Sequence, residues 1–320
     1  MNELRFGLIG AGRWGRRYIQ TFKEIPGVRL VKVASRNQGT STLVDELCVV
    51  VSDWRDMVAD NSIDGIVIAT PPEFHAPMAE AAMRAGHHTL IEKPMTLSPA
   101  QARSLATTSR ATGRMAFVGH THLFASAFRS LKAKAAELGT LRRVNCVAGN
   151  WGPYRADTPV LWDWAPHDIA MCIDLFGTNP LTLDARQVAS AQLPEGVGEA
   201  IELNLGFGPD AGASIRVSNV DSTKSRRLEA RYDAGTLIYD DLAPDKLKFV
   251  AAAQTAERVL QVAAAMPLAN LLNEFASEIR AESRFHASTD LGICVVDALA
   301  RAERALNADC RASSVLLARS

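Results

Sequence analysis

Apolar and polar positions in the first third of the chain follow a repeating order. LRFGLIG (4–10) is a short, nearly continuous apolar run, and the segment after it sets Trp14, Tyr18 and Phe22 at helical spacing. This pattern predicts a strand and then a helix. It recurs at VRLVKVAS (28–35), at DGIVIAT (64–70) before a helix over 73–85, and at HTLIE (88–92) before a helix over 99–112. Continuous apolar strands alternating with helices predict a doubly wound parallel sheet covered on both faces. Farther along, RRVNCVAGN (142–150), AIELNLGF (200–207), GASIRVSN (212–219) and RRLEARYD (226–233) mix apolar with polar residues between turn signals, which suits strands with one protected face. An apolar outer face is expected on that sheet, and with it a homodimer or homotetramer. The Ala-rich stretch 251–265 is compatible with helix or loop, and helical periods return at 268–280 and 289–306.

A chain of 320 residues, 48% of them hydrophobic, can build two cores. The reading divides it at 1–120, for a cofactor, and 121–320, for substrate and oligomerisation. Lys plus Arg number 35 and Asp plus Glu number 35, so no net field draws the chain to nucleic acid or an anionic membrane, and a small molecule is the expected partner. Cys48, Cys146, Cys172, Cys294 and Cys310 are scattered without zinc-ligand spacing, which points to reduced thiols, a cytoplasmic protein and no metal. Nowhere do eighteen apolar residues run together, so neither a membrane span nor an export signal is expected.

Between the first strand and first helix, Gly10-Ala11-Gly12-Arg13-Trp14-Gly15 fits G-x-G-x-x-G. Gly10 permits the tight turn, Gly12 lets the backbone approach a pyrophosphate, Gly15 allows close helix packing, and the helix N-terminus offers N–H groups to phosphate. About twenty residues on, where an NAD site places an acid, the chain carries Ser35-Arg36-Asn37. An arginine there can pair with a 2′-phosphate, so the cofactor is read as NAD(P) with NADP(H) slightly favoured. Arg36 can equally be a solvated charge or stack on the adenine of either cofactor.

HTLIEKP ends a strand with Glu92-Lys93-Pro94, at the sheet rim where ligands of open α/β sheets bind. Pro94 disfavours a helical Lys93, so the lysine should project and reach a substrate hydroxyl. The stretch LWDWAPHDI (161–169) adds Asp163 and His167. Pro166 suits the first position of a helix ended by Gly177, which puts His167 in the first turn and Asp163 ahead of the helix. A helix N-terminus disfavours positive charge, so a neutral imidazole able to accept a proton is expected.

GLIGAGRWG, ATPPEFH (69–75), EKP and Asp163-x-x-x-His167, in that order and spacing, resemble the glucose-fructose oxidoreductase, inositol dehydrogenase and rhizopine-catabolism (Gfo/Idh/MocA) family. The resemblance is specific to about Gly177 and rests on pattern alone beyond it. It implies a Rossmann domain followed by an α/β domain with a large, mostly antiparallel sheet. It also implies hydride transfer between NAD(P) and a secondary hydroxyl or ketone of a sugar, cyclitol or nucleotide sugar. His167 would be the acid/base, Lys93 the partner of the reacting oxygen and Asp163 a supporting group. Thr70 and Pro71 would run beside the nicotinamide ribose, with His75 and Glu92 flanking the cofactor. His120 and His122 stand where many relatives carry Asn and Arg, and His120 would contact the substrate there. GHT (119–121) and NWGPYRADTPVLWDWAPHDI (150–169) are similar to a nucleotide-sugar 3-dehydrogenase branch, in which Arg155 would meet a phosphate or carboxylate and which is generally associated with NAD. Arg155 can also be a surface loop charge. Other activities compatible with the fold are a biliverdin- or aldehyde-type reductase and a non-catalytic cofactor-sensing regulator, but neither needs the full Lys93, Asp163 and His167 set.

Overall fold

The computed structural model describes residues 3–152, 154, 158–193, 196–282 and 287–317, with side chains described to residue 308. The chain forms two compact units, one of Met1–Phe124 with Ala265–Val296 and one of Ala125–Ala264 with Asp297–Ser320. The single cut at residue 120 therefore does not hold for the C-terminal third, part of which belongs to the first unit.

In the first unit six parallel strands stand in the order β3-β2-β1-β4-β5-β6. They are β1 (Leu4–Ile9), β2 (Val28–Ala34), β3 (Val49–Val51), β4 (Gly65–Ile68), β5 (His88–Glu92) and β6 (Ala116–Gly119). Every residue of β4, β5 and β6 is buried, as two covered faces require. Helices α1 (Arg13–Phe22), α2 (Arg55–Val58), α3 (His75–Arg84) and α4 (Pro99–Thr112) connect the strands. The strand order reverses between β1 and β4, which opens a crevice at their carboxyl ends.

Helix α7, which follows the helices α5 (Ser126–Ala135) and α6 (Val160–Phe176) in chain order, spans Pro267–Arg280. Its Leu268, Leu271, Leu272 and Phe275 join the core of the first unit with Phe6, Phe22 and Phe117. Phe275 stacks at tilted angles on Phe6 (5.8 Å) and Phe117 (5.5 Å). Periodicity shows that this segment is an amphipathic helix, but the core that its apolar stripe joins is decided by long-range packing.

The second unit is built on an eight-stranded mixed sheet in the order β14-β13-β12-β11-β7-β10-β9-β8. Its strands are β7 (Leu141–Trp151), β8 (Thr182–Leu193), β9 (Gly196–Gly208), β10 (Ala211–Ser218), β11 (Val220–Tyr232), β12 (Gly235–Asp240), β13 (Leu247–Ala251) and β14 (Arg258–Val259). Only β7 and β10 pair in parallel. One row across seven strands, Leu247, Tyr239, Leu228, Cys146, Ile215, Leu203 and Ala185, is buried throughout. The next row, on the opposite face, reads Asp240, Arg227, Val147, Arg216, Glu202 and Arg186. Ion pairs lace that face: Arg186 with Glu202, Arg216 with Asp221, and Arg227 with Glu229. Along this row the apolar outer face expected from the sequence is instead a ladder of charges around Val147. The outward positions in the row are charged on each of its strands but β7, which contributes Val147. The Ala-rich stretch contributes no helix before α7, only the end of β13, turns and β14. The last helix, α8, runs Ala287–Leu317.

Candidate active site

The turn from β1 into α1 explains each glycine of the motif. Gly10 has φ of +96°, and a Cβ there would stand 2.7 Å from the Ala69 carbonyl oxygen, so the turn can lie against the end of β4 only without a side chain. A Cβ at Gly15 would overlap the Gly10 carbonyl oxygen. Gly12 differs, because nothing lies within 4 Å of where its Cβ would be. Packing therefore leaves Gly12 free to carry a side chain, and the open space beside it fits a pyrophosphate approaching the backbone. Gly12 is also the N-cap of α1, makes no side-chain cap and has no acid in the turn that follows, so the first amides remain for an anion. Arg13 is exposed and Trp14 half-buried, its ring covered by the Arg17 guanidinium at 4.8 Å.

Past β2, Ser35 Oγ accepts from Thr40 Oγ1 (2.8 Å) and from the Asn37 amide (3.2 Å), which leaves its own hydroxyl proton to donate elsewhere. Arg36 is exposed and among the described residues has no carboxylate partner.

After β4, Thr70 and Pro71 lead into α3, whose first residue, His75, is fully buried. Its Nδ1 faces the Pro94 carbonyl and its Nε2 the Thr70 carbonyl, both at 2.9 Å. Burial holds its pKa below the ordinary value. A neutral ring has one N–H and donates to one of these carbonyls, with its other nitrogen packed against the second, so His75 sits between the loop after β4 and the loop after β5.

Glu92 ends β5 in full burial. Tyr18, on α1, donates to its Oε1 at 2.7 Å, and the Lys93 amide donates to Oε2 at 3.1 Å. Burial raises both the Glu92 carboxyl and the Tyr18 phenol, and the Tyr18 bond partly offsets the shift at Glu92. Glu92 consequently anchors the strand end that carries Lys93, and a tyrosine read from the sequence only as a core-facing position is its partner. The one cue to Tyr18 was its helical spacing, which says nothing of its hydroxyl. His120, just past β6, is 2% exposed, and neither ring nitrogen has a hydrogen-bond partner among the described residues. Burial, and then the charge of Lys93, push its pKa down to about 3. It is a neutral imidazole within electrostatic reach of Lys93. Buried orphan nitrogens of this kind call for a polar ligand or water.

In the second unit, the helix carrying Asp163 and His167 starts earlier than expected. Pro159 is its N-cap, with the Trp162 and Asp163 amides both on the Pro159 carbonyl at 3.0 Å, and Pro166 lies inside the helix. An interior proline costs about 3 kcal/mol, which burial of Val160, Leu161, Trp162, Ile169 and Met171 on the same helix offsets at about 1.5–3 kcal/mol for each large side chain. Asp163 and His167 are therefore one helical turn apart on one face, with true i, i+4 spacing. His167 is buried and Asp163 half-buried. The expectation that the helix N-terminus keeps His167 neutral fails, because that effect is confined to the first turn and His167 lies two turns in. Asp163 occupies the first turn instead, where a carboxylate is favoured.

Asp168, which carries no signal in the sequence, is buried next to His167, and its Oδ2 lacks a partner among the described residues. Burial pushes its pKa up to about 6, against the lowering effect of Arg226. Arg226 itself covers the Trp164 ring at 5.5 Å. Arg155 lies outside the described residues. Lys93 and His120 belong to the first unit, and Asp163 and His167 to the second. Among the described residues no cluster could hold a metal, and no helix is long and apolar enough to cross a membrane.

Comparison with known proteins gives the same picture. Residues 4–120 match the model of the Gfo/Idh/MocA oxidoreductase family, described as an NAD-binding Rossmann fold. A crystal structure of an oxidoreductase candidate from Magnetospirillum magnetotacticum MS-1 is 38% identical and covers 93% of this chain and 99% of that one, with a TM-score of 0.88. UDP-N-acetylglucosamine 3-dehydrogenase from Acidithiobacillus ferrooxidans superposes with a TM-score of 0.84 at 25% identity, over 96% of this chain and 99% of that one. A 4-carboxy-2-hydroxymuconate-6-semialdehyde dehydrogenase from Sphingobium sp. is 28% identical over 76% of this chain and 82% of its own. The matched stretch spans 58% of the length of an Escherichia coli oxidoreductase that is 31% identical, and in other curated relatives from 27% to 82%. The dinucleotide turn, the strand-end lysine and these likenesses agree: the chain is an NAD(P)-binding oxidoreductase and belongs to the Gfo/Idh/MocA family.

Proposed function

We propose that the protein interconverts a secondary hydroxyl and a ketone of a sugar, cyclitol or nucleotide sugar with a nicotinamide cofactor, NADP(H) slightly preferred. The observation that carries the reading is Lys93 at an anchored strand end beside the buried, partnerless ring of His120, a polar arrangement suited to hydroxyl groups. Likeness to UDP-N-acetylglucosamine 3-dehydrogenase supports a nucleotide sugar. The bound nicotinamide supplies the hydride chemistry at carbon. The remaining work falls to side chains. His167 takes the hydroxyl proton during oxidation and returns it during reduction. Lys93 donates to the same oxygen as negative charge builds there. Asp163, one turn before His167, orients the substrate or the imidazole. His120 accepts from a substrate hydroxyl, and Arg155 meets a phosphate or carboxylate. For the cofactor, the Ser35 hydroxyl proton and the Arg36 guanidinium favour a 2′-phosphate.

A second reading, oxidation or reduction at an aldehyde carbon, is favoured by the relation to the Sphingobium semialdehyde dehydrogenase. The deciding experiment is a panel of sugars, cyclitols, nucleotide sugars and aldehydes assayed with NAD and NADP by reduced-nicotinamide absorbance. Turnover on polyols or sugar nucleotides is expected. Turnover on aldehydes alone would replace the reading with the second one, and cofactor binding without turnover on any member would count against an enzyme of either kind.

A further inference from the structure

On the charged outer face of the second unit's sheet, most cations have a carboxylate beside them. Arg186 meets Glu202, Arg216 meets Asp221, Arg227 meets Glu229, and at the sheet end Arg142 meets Asp233. Arg143 and Arg231 break the pattern. They are exposed and directly opposite each other on the antiparallel pair β7 and β11, so their Cα atoms stand about 4.5–5.5 Å apart. Among the described residues neither has a carboxylate partner. Like charges in cross-strand register are destabilising unless something between them carries the opposite sign.

The same row continues across β10 and β9 as Gly212 and Gly206, and ends at Thr182 on β8. Two adjacent glycines hollow the face beside the arginines. The hollow is an open concavity of about 740 Å³, lined by both arginines and by Thr182, Asn204 and the glycine backbone. A Cβ on Gly212 would stand 3.3 Å from Nη1 of Arg143, so the glycine leaves that guanidinium room to lie over the floor. Arg142, Asp184 and Asp210 also line the hollow. Asp210 acts on Arg142, which Asp233 already pairs, and Asp184 on β8 is three strands from Arg143, about 14 Å across the sheet. Neither neutralises the pair.

The geometry points to an anion-binding site on this face, in which Arg143 and Arg231 clamp one tetrahedral oxyanion of the phosphate class over the Gly206–Gly212 floor. Two guanidinium forks offer the paired N–H donors that phosphate oxygens accept. The site lies wholly within the second unit, whereas the dinucleotide turn is in the first, and it stands independently of the proposed reaction.

The test uses the full chain in chloride buffer, with inorganic phosphate and pyrophosphate as probes in calorimetric and thermal-shift titrations. Wild-type protein should bind phosphate saturably. Arg143→Gln and Arg231→Gln should each weaken that binding roughly tenfold or more, while both melt higher than wild type when phosphate is absent, because one of two repelling charges is gone. Arg231→Lys should bind at an intermediate level, which keeps the test open should a glutamine variant fold poorly. Arg227→Gln, which removes a cation already paired, should leave phosphate binding unchanged, and NADP titration should be the same in all variants. No saturable binding to wild type, unchanged affinity in the glutamine variants, or equal weakening by Arg227→Gln would each overturn the site. So would a fall in mass by light scattering on adding phosphate, which would mean that the two arginines hold carboxylates of a second copy of the chain.

Discussion

Single positions carry the chemistry, and the two glycines Gly12 and Gly15 show how differently they do so. Gly12→Val should fold normally, since its side chain points into open space, yet lose cofactor binding because that space is where the pyrophosphate must approach. Gly15→Ala should lose stability first, since its methyl group collides with the Gly10 carbonyl. Cofactor titration and thermal melts on both variants check the pair of outcomes. Arg36→Ala should weaken NADP by roughly tenfold or more and leave NAD nearly unchanged, which competitive titration of the two cofactors would measure. His167→Ala should cost about a hundred- to ten-thousand-fold in kcat with cofactor affinity retained. Lys93→Ala should fall as far, and Lys93→Arg should remain poor because a planar fork does not replace a compact ammonium. Steady-state kinetics on the substrate found by the panel supply the measurement.

At the scale of elements, α6 gathers a function and a cost on one rod. Its i, i+4 spacing sets the half-buried Asp163 and the buried His167 one turn apart, while Asp168 is buried with Oδ2 lacking a partner among the described residues. The folded-state pKa of Asp168 is raised from 3.8 to about 6. A raised carboxyl contributes its stability in the protonated form, fully present below 3.8 and lost as pH climbs through about 6. Unfolding free energy should therefore fall across that window by up to about 3 kcal/mol. Asp168→Asn should flatten that slope and make the protein more stable at neutral pH. Denaturant midpoints at several pH values, for wild type and variant, would show it, and parallel slopes would mean that Asp168 is solvated or paired.

For the molecule as a whole, the outer face of the eight-stranded sheet sets what assembly can use. With a row of Asp240, Arg227, Val147, Arg216, Glu202 and Arg186 that is charged at all but one position, two copies joining there must match charges. A homodimer or homotetramer formed through this face should then show a light-scattering mass that drops toward that of one chain as salt rises, since exposed charge pairs are screened. A multimer whose mass is constant across salt would have to be joined by another surface.

The sequence by itself determined what local pattern can report. Nearly continuous apolar runs at β1 and β4, each followed by a helical period, pointed to a parallel sheet, because a strand buried on both faces has few polar alternate positions. The glycines at 10, 12 and 15 declared the dinucleotide turn, because Gly10 and Gly15 have no room for a side chain and Gly12 leaves its backbone open to a pyrophosphate. Lys93 was legible as a strand-end residue from Pro94. Tertiary structure alone decided which side chains these elements meet. The pairing of Tyr18 with Glu92 spans 74 residues, His75 is held between two loops, and α7 joins a core begun more than two hundred residues earlier. Pro166 misled because its preference for a helix start is weaker than the burial that carries α6 through it. The outer face misled because alternation fixes that a strand has two faces, whereas the polarity of the second face across eight strands emerges only when register lines up Arg227, Arg216 and Arg186. Local preference is a property of neighbours along the chain, and these contacts are made between residues that only folding brings side by side.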